Sequence, residues 1–134
     1  MAGSKSNALE NEVLDSVLGG PARSLDATVY VALYTAAPTD AGGGTEVSGG
    51  SYARVSVTNN ATNFPSAAAS LKQNGTAIVF PQATADWGTV VAFGIHDHIT
   101  NDSLLIWGDL TASKSVENGD TAQFNVNGIS YTED

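Results

Sequence analysis

The sequence predicts a mainly β protein, a β-sandwich or jelly-roll-like domain with one N-terminal amphipathic α-helix. Three observations carry that reading. Short apolar stretches of alternating pattern recur between clusters of Gly, Asn, Asp, Ser and Pro. A single segment near the start has apolar residues at helical spacing instead. The stretch from Phe80 to Leu110 sets two apolar runs around one polar turn and carries both tryptophans, as the central hairpin of such a domain would. With 134 residues, 42% of them hydrophobic, the chain suits one compact unit, read as an arm and helix over residues 1–20 and one β-sandwich domain over 21–134.

Taken in order, Met1 to Ser6 is small and polar, the composition of a frayed tail. In SNALENEVLDSVLGGP, Leu9, Val13, Leu14, Val17 and Leu18 fall on one helical stripe. Ser6 or Asn7 can cap its start, and Gly19, Gly20 and Pro21 stop it. Full burial of those five side chains would contribute on the order of 7 to 15 kcal/mol before entropy is subtracted. Two placements remain open for the stripe, against the chain's own sheet or on another chain. From Ala27 to Tyr34 a strand puts Val29, Val31 and Leu33 opposite Tyr30, Ala32 and Tyr34. A long loop follows, with Pro38 and five of the fourteen glycines. Ser51 to Thr58 is a second strand with Ala53, Val55 and Val57 inward, and Asn59 to Ser70 is a connection anchored by Phe64.

Leu71 to Phe80 contains Asn74-Gly75, the preferred pair for a two-residue hairpin turn. In the central hairpin, alternation places Val91, Phe93 and Ile95 on one face and Val90, Ala92 and His96 on the other. On the return run Leu104, Ile106 and Leu110 share a face opposite Leu105 and Trp107. Thr121 to Tyr131 closes the sheet as one strand or two, split at Asn127-Gly128. The sum is six to eight strands.

Composition narrows the function. Without cysteine there is no disulfide framework and no thiolate metal site. Fourteen acidic against five basic residues give a formal charge of −9, which repels phosphate backbones and anionic lipid, so neither nucleic acid nor membrane is an expected partner. No apolar run has the length of a membrane span and no charged start precedes an apolar segment, so synthesis in the cytosol is expected.

Candidate chemistry is sparse. His96 and His98, in i, i+2 positions, could share a metal with Asp97, Asp102 or Asp109, although none of these spacings singles out a third ligand. The acidic loops Asp40 to Glu46 and Glu117 to Asp120 offer hard oxygen ligands without the pattern of a calcium loop. There is no glycine-flanked serine elbow and no phosphate-cradling loop leading into a helix. Trp87 and Trp107 could stack on a sugar or fill the core. The expectation is no enzyme, no catalytic residue, no metal and no cofactor.

Four stretches, NALENEVLDSVLGG, TVYVALYTAAPTDAGGGTEVSGGSYARVSV, FPQATADWGTVVAFGIHD and LLIWGDLTASKSVENGD, together resemble a family of small tailed-bacteriophage virion proteins, commonly known as phage tail fibre proteins. The resemblance covers well over half the chain; residues 59–73 and the C-terminal end depart from it. It implies a structural role in the virion and supplies no catalytic or receptor motif to carry over. The first expectation is a capsid decoration, or cement, protein: an acidic β-domain, forming a homotrimer, that binds the major capsid protein on the capsid surface and stabilises the shell. The alternative is a small tail fibre or baseplate adhesin with the loop from Pro38 to Gly50 at a host-binding tip. For the first expectation Leu9, Val13, Leu14, Val17 and Leu18 are the candidate partner-binding residues.

Overall fold

The computed structural model describes residues 3–101 and 103–133. In chain order the elements are β1 (Gly3–Lys5), α1 (Asn7–Val17), β2 (Thr28–Ala36), β3 (Thr45–Glu46), β4 (Val55–Thr58), β5 (Leu71–Gln73), β6 (Ile78–Val79), β7 (Gly88–His96), β8 (Leu104–Val116), β9 (Gln123–Phe124) and β10 (Ser130–Thr132). Six strands form one antiparallel sheet in the order β1-β8-β7-β2-β3, with β4 also on β2. β4 pairs with the first half of β2 and β3 with the second, so together they line the edge of β2 away from β7. Two short ribbons, β5 with β10 and β6 with β9, form the opposing layer. This is a β-sandwich with unequal layers, and among the described residues it has ten strands, more than the six to eight expected.

The core lies between the layers. Val29, Val31 and Leu33 from β2 and Val90 and Phe93 from β7 meet Ile78, Phe80, Trp87 and Ile129 from the covering side. Phe124 sets its ring edge-on to Phe80 and Phe93, an arrangement that adds to area burial because ring edge and face carry opposite partial charge. The other face of the large sheet is also covered. Ala32, Tyr34 and Ala92 are buried there beneath Ala37 of the loop after β2.

Several expectations are corrected. Residues 3–5 do not fray; they form the edge strand β1, with Gly3 opposite Gly108. A Cβ on Gly3 would lie 2.3 Å from the Trp107 carbonyl oxygen, so this pairing requires glycine. The Asn74-Gly75 pair does not turn a hairpin. β5 and β6 on either side of it pair with β10 and β9, and Gly75 sits where a Cβ would be 2.4 Å from the Thr62 carbonyl oxygen. Asn74 is instead buried, accepting from the Ile129 N–H and donating to the Thr76 and Asn125 carbonyls.

The face assignments within the central hairpin shift at two irregularities. From Val90 to Ala92 is two steps on β7, against five on β8 from Lys114 to Asp109; Val90 therefore joins Phe93 in the core while Val91 packs with Ala92. One step from Ile95 to His96 faces two from Ile106 to Leu104, so Leu105 packs into the core while Leu104 lies against the other face beside Gly94. An inserted residue reverses alternation locally. Ala53 is exposed and Arg54 buried, the reverse of the expected strand pattern, because β4 begins only at Val55 and Arg54 turns inward to a carboxylate.

That carboxylate is Glu46. Arg54 donates to both of its oxygens, at 2.9 and 2.8 Å, and to the backbone carbonyls of His98 and Asn101, each at 2.8 Å. Tyr52 donates to Glu46 at 2.7 Å. One guanidinium thus ties β3, the approach to β4 and the β7–β8 turn together. Burial works to raise the Glu46 pKa; the hydrogen bonds from Arg54 and Tyr52 and the Arg54 charge outweigh it and leave the carboxyl below its ordinary range. Burial first, and the Glu46 contact second, push the Tyr52 phenol well above its own.

Candidate assembly surface

α1 forms where the apolar spacing and caps predict. The Ser6 side chain accepts from the Leu9 N–H at 3.2 Å. At the other end the Gly20 N–H reaches the Asp15 carbonyl at 2.7 Å and the Leu18 N–H reaches that of Leu14, with Gly19 and Gly20 at positive φ. This closure satisfies carbonyls that a helix end leaves open, in a conformation glycine adopts without strain. The helix is moored by its polar side. Arg23 pairs with Glu12 and, at 2.6 Å, with Asp26, while its N–H donates to Ser16 Oγ at 2.8 Å. The Asp26 hydrogen bond leads in holding the Arg23 guanidinium above its ordinary pKa, against partial burial and with help from Glu12.

Of the five candidate partner-binding residues, only Leu9 is spent on the fold, at 8% exposure. Val13 is 39% exposed, Leu14 60%, and Val17 and Leu18 each 74%. Leu25, on the segment returning from α1, is 73% exposed. Sequence reading missed Leu25 because an isolated leucine in ARSLDA has no periodicity; its place just after the helix stop was the available signal. Among the described residues eight large apolar side chains are exposed, and five of them lie between Val13 and Leu25. Such crowding sets this segment apart from the rest of the surface, whereas scattered exposed leucines need no explanation.

Beside the buried end of α1 is a cavity of about 210 Å³, partly open to solvent. Leu9, Phe64, Leu105, Ile106 and Ile129 give it apolar walls; Arg23, Asp26 and Lys72 also line it. At this edge Lys5 and Glu133 pair at 2.5 Å, joining β1 to the residue after β10. That hydrogen bond is the leading reason the Glu133 carboxyl lies below its ordinary range.

The other candidates are not brought to one place. His96 is buried, with Nε2 2.7 Å from the Tyr34 hydroxyl. His98 lies in the exposed turn, where its Nδ1 accepts the N–H groups of Thr100 and Asn101. Asp97 and Asp109 form no cluster with them, and Asp102 lies outside the described residues. Asp40 accepts from the Trp107 indole at 3.0 Å and Glu46 is taken by Arg54, while Asp120 accepts from the Glu117 N–H. Trp87 fills the core with its indole N–H on the Gly50 carbonyl, well apart in role from Trp107 on the Asp40 loop. No helix among the described residues is long and apolar enough to cross a membrane.

Residues 4–132 match the family described as podophage GP4 fiber I protein gp80. The chain belongs to that family. The match spans nearly the whole chain, including residues 59–73 where the resemblance read from sequence lapses. It makes the chain a small structural protein of the phage virion. No curated protein is similar enough to count as a match.

Proposed function

We propose that the chain is a non-enzymatic, fibre-type subunit on the outside of a phage particle, held in place through the apolar patch of α1 and Leu25. The carrying observation is the crowding of exposed apolar side chains on a helix in which Leu9 is the one buried residue and which Arg23 holds by polar contacts. A surface of this kind is left open by the monomer and suits burial in an assembly. The family description, with its word fiber, supports the fibre placement.

A second reading is favoured by the charge of −9 and by a described structure of one sandwich and one helix without an extended shaft. In it the protein decorates the capsid as a homotrimer bound to the major capsid protein, where acidity suits the face turned away from DNA. Quantitative mass spectrometry of purified particles separates the two. About one copy, or about one third, per capsid subunit supports decoration, because shell sites repeat with the symmetry of the capsid. A ratio of roughly a few per cent supports the fibre, whose attachment sites are confined to the tail. Absence from the particle overturns both.

A further inference from the structure

The apolar patch and the cavity beside it are complementary, and from this we infer that a second copy of the chain covers the patch, the Leu14–Leu18 end of α1 in one copy seating in the cavity of the next. The inference rests on the reading that the patch is buried in the particle, and it names what buries it.

The first argument is charge. α1 carries Glu10, Glu12 and Asp15 and no basic residue, so its apolar stripe lies in an acidic frame. A matching surface needs apolar walls and a cationic border, and most of this chain, at −9, would repel the helix. The cavity differs: Arg23 and Lys72, two of the five basic residues, line it against a single acid, Asp26, together with apolar walls. Arg23 is already shared between Glu12 and Asp26, whereas Lys72 makes no ion pair among the described residues and remains available to an incoming carboxylate.

Size and connectivity agree. A cavity of about 150 Å³ accepts a benzene, so one of about 210 Å³ has room for the ends of one or two aliphatic side chains. The helix cannot fill the cavity of its own chain with Leu14 or Leu18. Leu9 already forms part of that wall, and the Arg23 contacts hold the helix with its C-terminal half outward. Patch and cavity lie side by side, so two copies can seat in each other reciprocally about a twofold axis, or each in the next, which closes into a ring when the rotation between copies permits.

The test is sedimentation velocity of the full chain across a concentration series at constant salt, with folding of each variant checked by circular dichroism. Wild type is expected to associate with rising concentration, and both Leu14→Glu/Val17→Glu and Lys72→Glu to weaken association at least tenfold; Lys72→Gln keeps the readout if the charge reversal unfolds the chain. Mixing the two variants is decisive. The first keeps an intact cavity and the second an intact helix, so together they form a dimer that neither forms alone. A monomeric wild type, an oligomer that survives either substitution, or a mixture that stays monomeric overturns the inference. If wild type is monomeric yet Leu14→Glu/Val17→Glu is lost from particles, the patch still holds the protein in the virion and only the choice of a second copy falls.

Discussion

Glu46→Gln isolates the polar tie that holds β3 to the β7–β8 turn. The substitution keeps size and shape but replaces one acceptor oxygen with an amide that faces the guanidinium, donor against donor. Arg54 has a side chain only 5% exposed, and it keeps only neutral partners: the carbonyls of His98 and Asn101 and the one remaining oxygen of the new side chain. Breaking a buried pair by removing one member costs about 3–5 kcal/mol because the remaining charge is left desolvated. Glu46 is itself 26% exposed, so some of its attraction is screened and the low end, about 3 kcal/mol, applies. For a domain of this size that corresponds to a fall in Tm of roughly 12 °C. The pH dependence follows from the lowered pKa of Glu46 in the folded chain. Its contribution is fully present above the ordinary carboxylate value and is lost as pH falls through the lower, folded value. Wild type therefore converges on Glu46→Gln in acid, where both carry a neutral side chain. Urea unfolding at neutral pH and at a series of acid pH values measures the gap. A neutral-pH cost below about 1 kcal/mol, or a gap that does not narrow in acid, refutes the assignment of Glu46 as the ionised partner of a desolvated Arg54.

Three further outcomes are expected. Asn74→Ala strips the partner from the Ile129 N–H and a donor from each of the Thr76 and Asn125 carbonyls, of which Asn125 keeps the Gly128 N–H; at about 1 kcal/mol or more for each of the two remaining groups it costs about 2 kcal/mol in urea unfolding, and a loss under about 1 shows that water replaces the amide. Gly94→Ala places a Cβ 2.8 Å from the Tyr34 ring, 3.1 Å from Leu104 and 3.3 Å from His96 Nε2; overpacking of about 1–3 kcal/mol is expected from thermal melts, and a neutral effect contradicts the tight packing of that face. Leu14→Glu/Val17→Glu, on 60% and 74% exposed side chains, leaves stability within about 0.5 kcal/mol and removes the protein from purified particles; retention at wild-type copy number refutes the attachment role of α1.

Elements fixed by local pattern were legible in the sequence. α1 announced itself through Ser6, the apolar spacing and Gly19-Gly20, and β2 through the alternation of Val29, Val31 and Leu33. What stayed hidden depends on partners distant in the chain. Asn74-Gly75 resembles a hairpin turn until Leu71–Gln73 takes Ser130–Thr132 as its partner and Ile78–Val79 takes Gln123–Phe124. Arg54 points inward because Glu46 waits there, a relation no alternating pattern expresses. The faces of Val90 and Leu105 follow from irregular pairing, and a period-two reading has no means of locating an inserted residue. Gly3–Lys5 has no apolar signature at all; it becomes a strand because β8 presents an open row of backbone groups to it.

The same division applies to the assembly surface. Periodicity shows that α1 has an apolar stripe, and it is silent on whether the stripe faces inward. The answer lies in the core, where β2 and β7 close against Phe80, Trp87, Phe124 and Ile129 without any residue of α1. An eleven-residue helix is marginal by itself, and here a single leucine is the apolar anchor. What orders it is polar: the Ser6 cap, the closure at Gly19-Gly20 and the contacts of Arg23 with Glu12 and Ser16. These contacts fix the helix without consuming Leu14, Val17 or Leu18. A helix formed in advance loses little conformational freedom on docking, so more of the area buried there appears as affinity. In this reading the polar moorings of α1 belong to the assembly function as much as its apolar stripe does, because they present that stripe already folded.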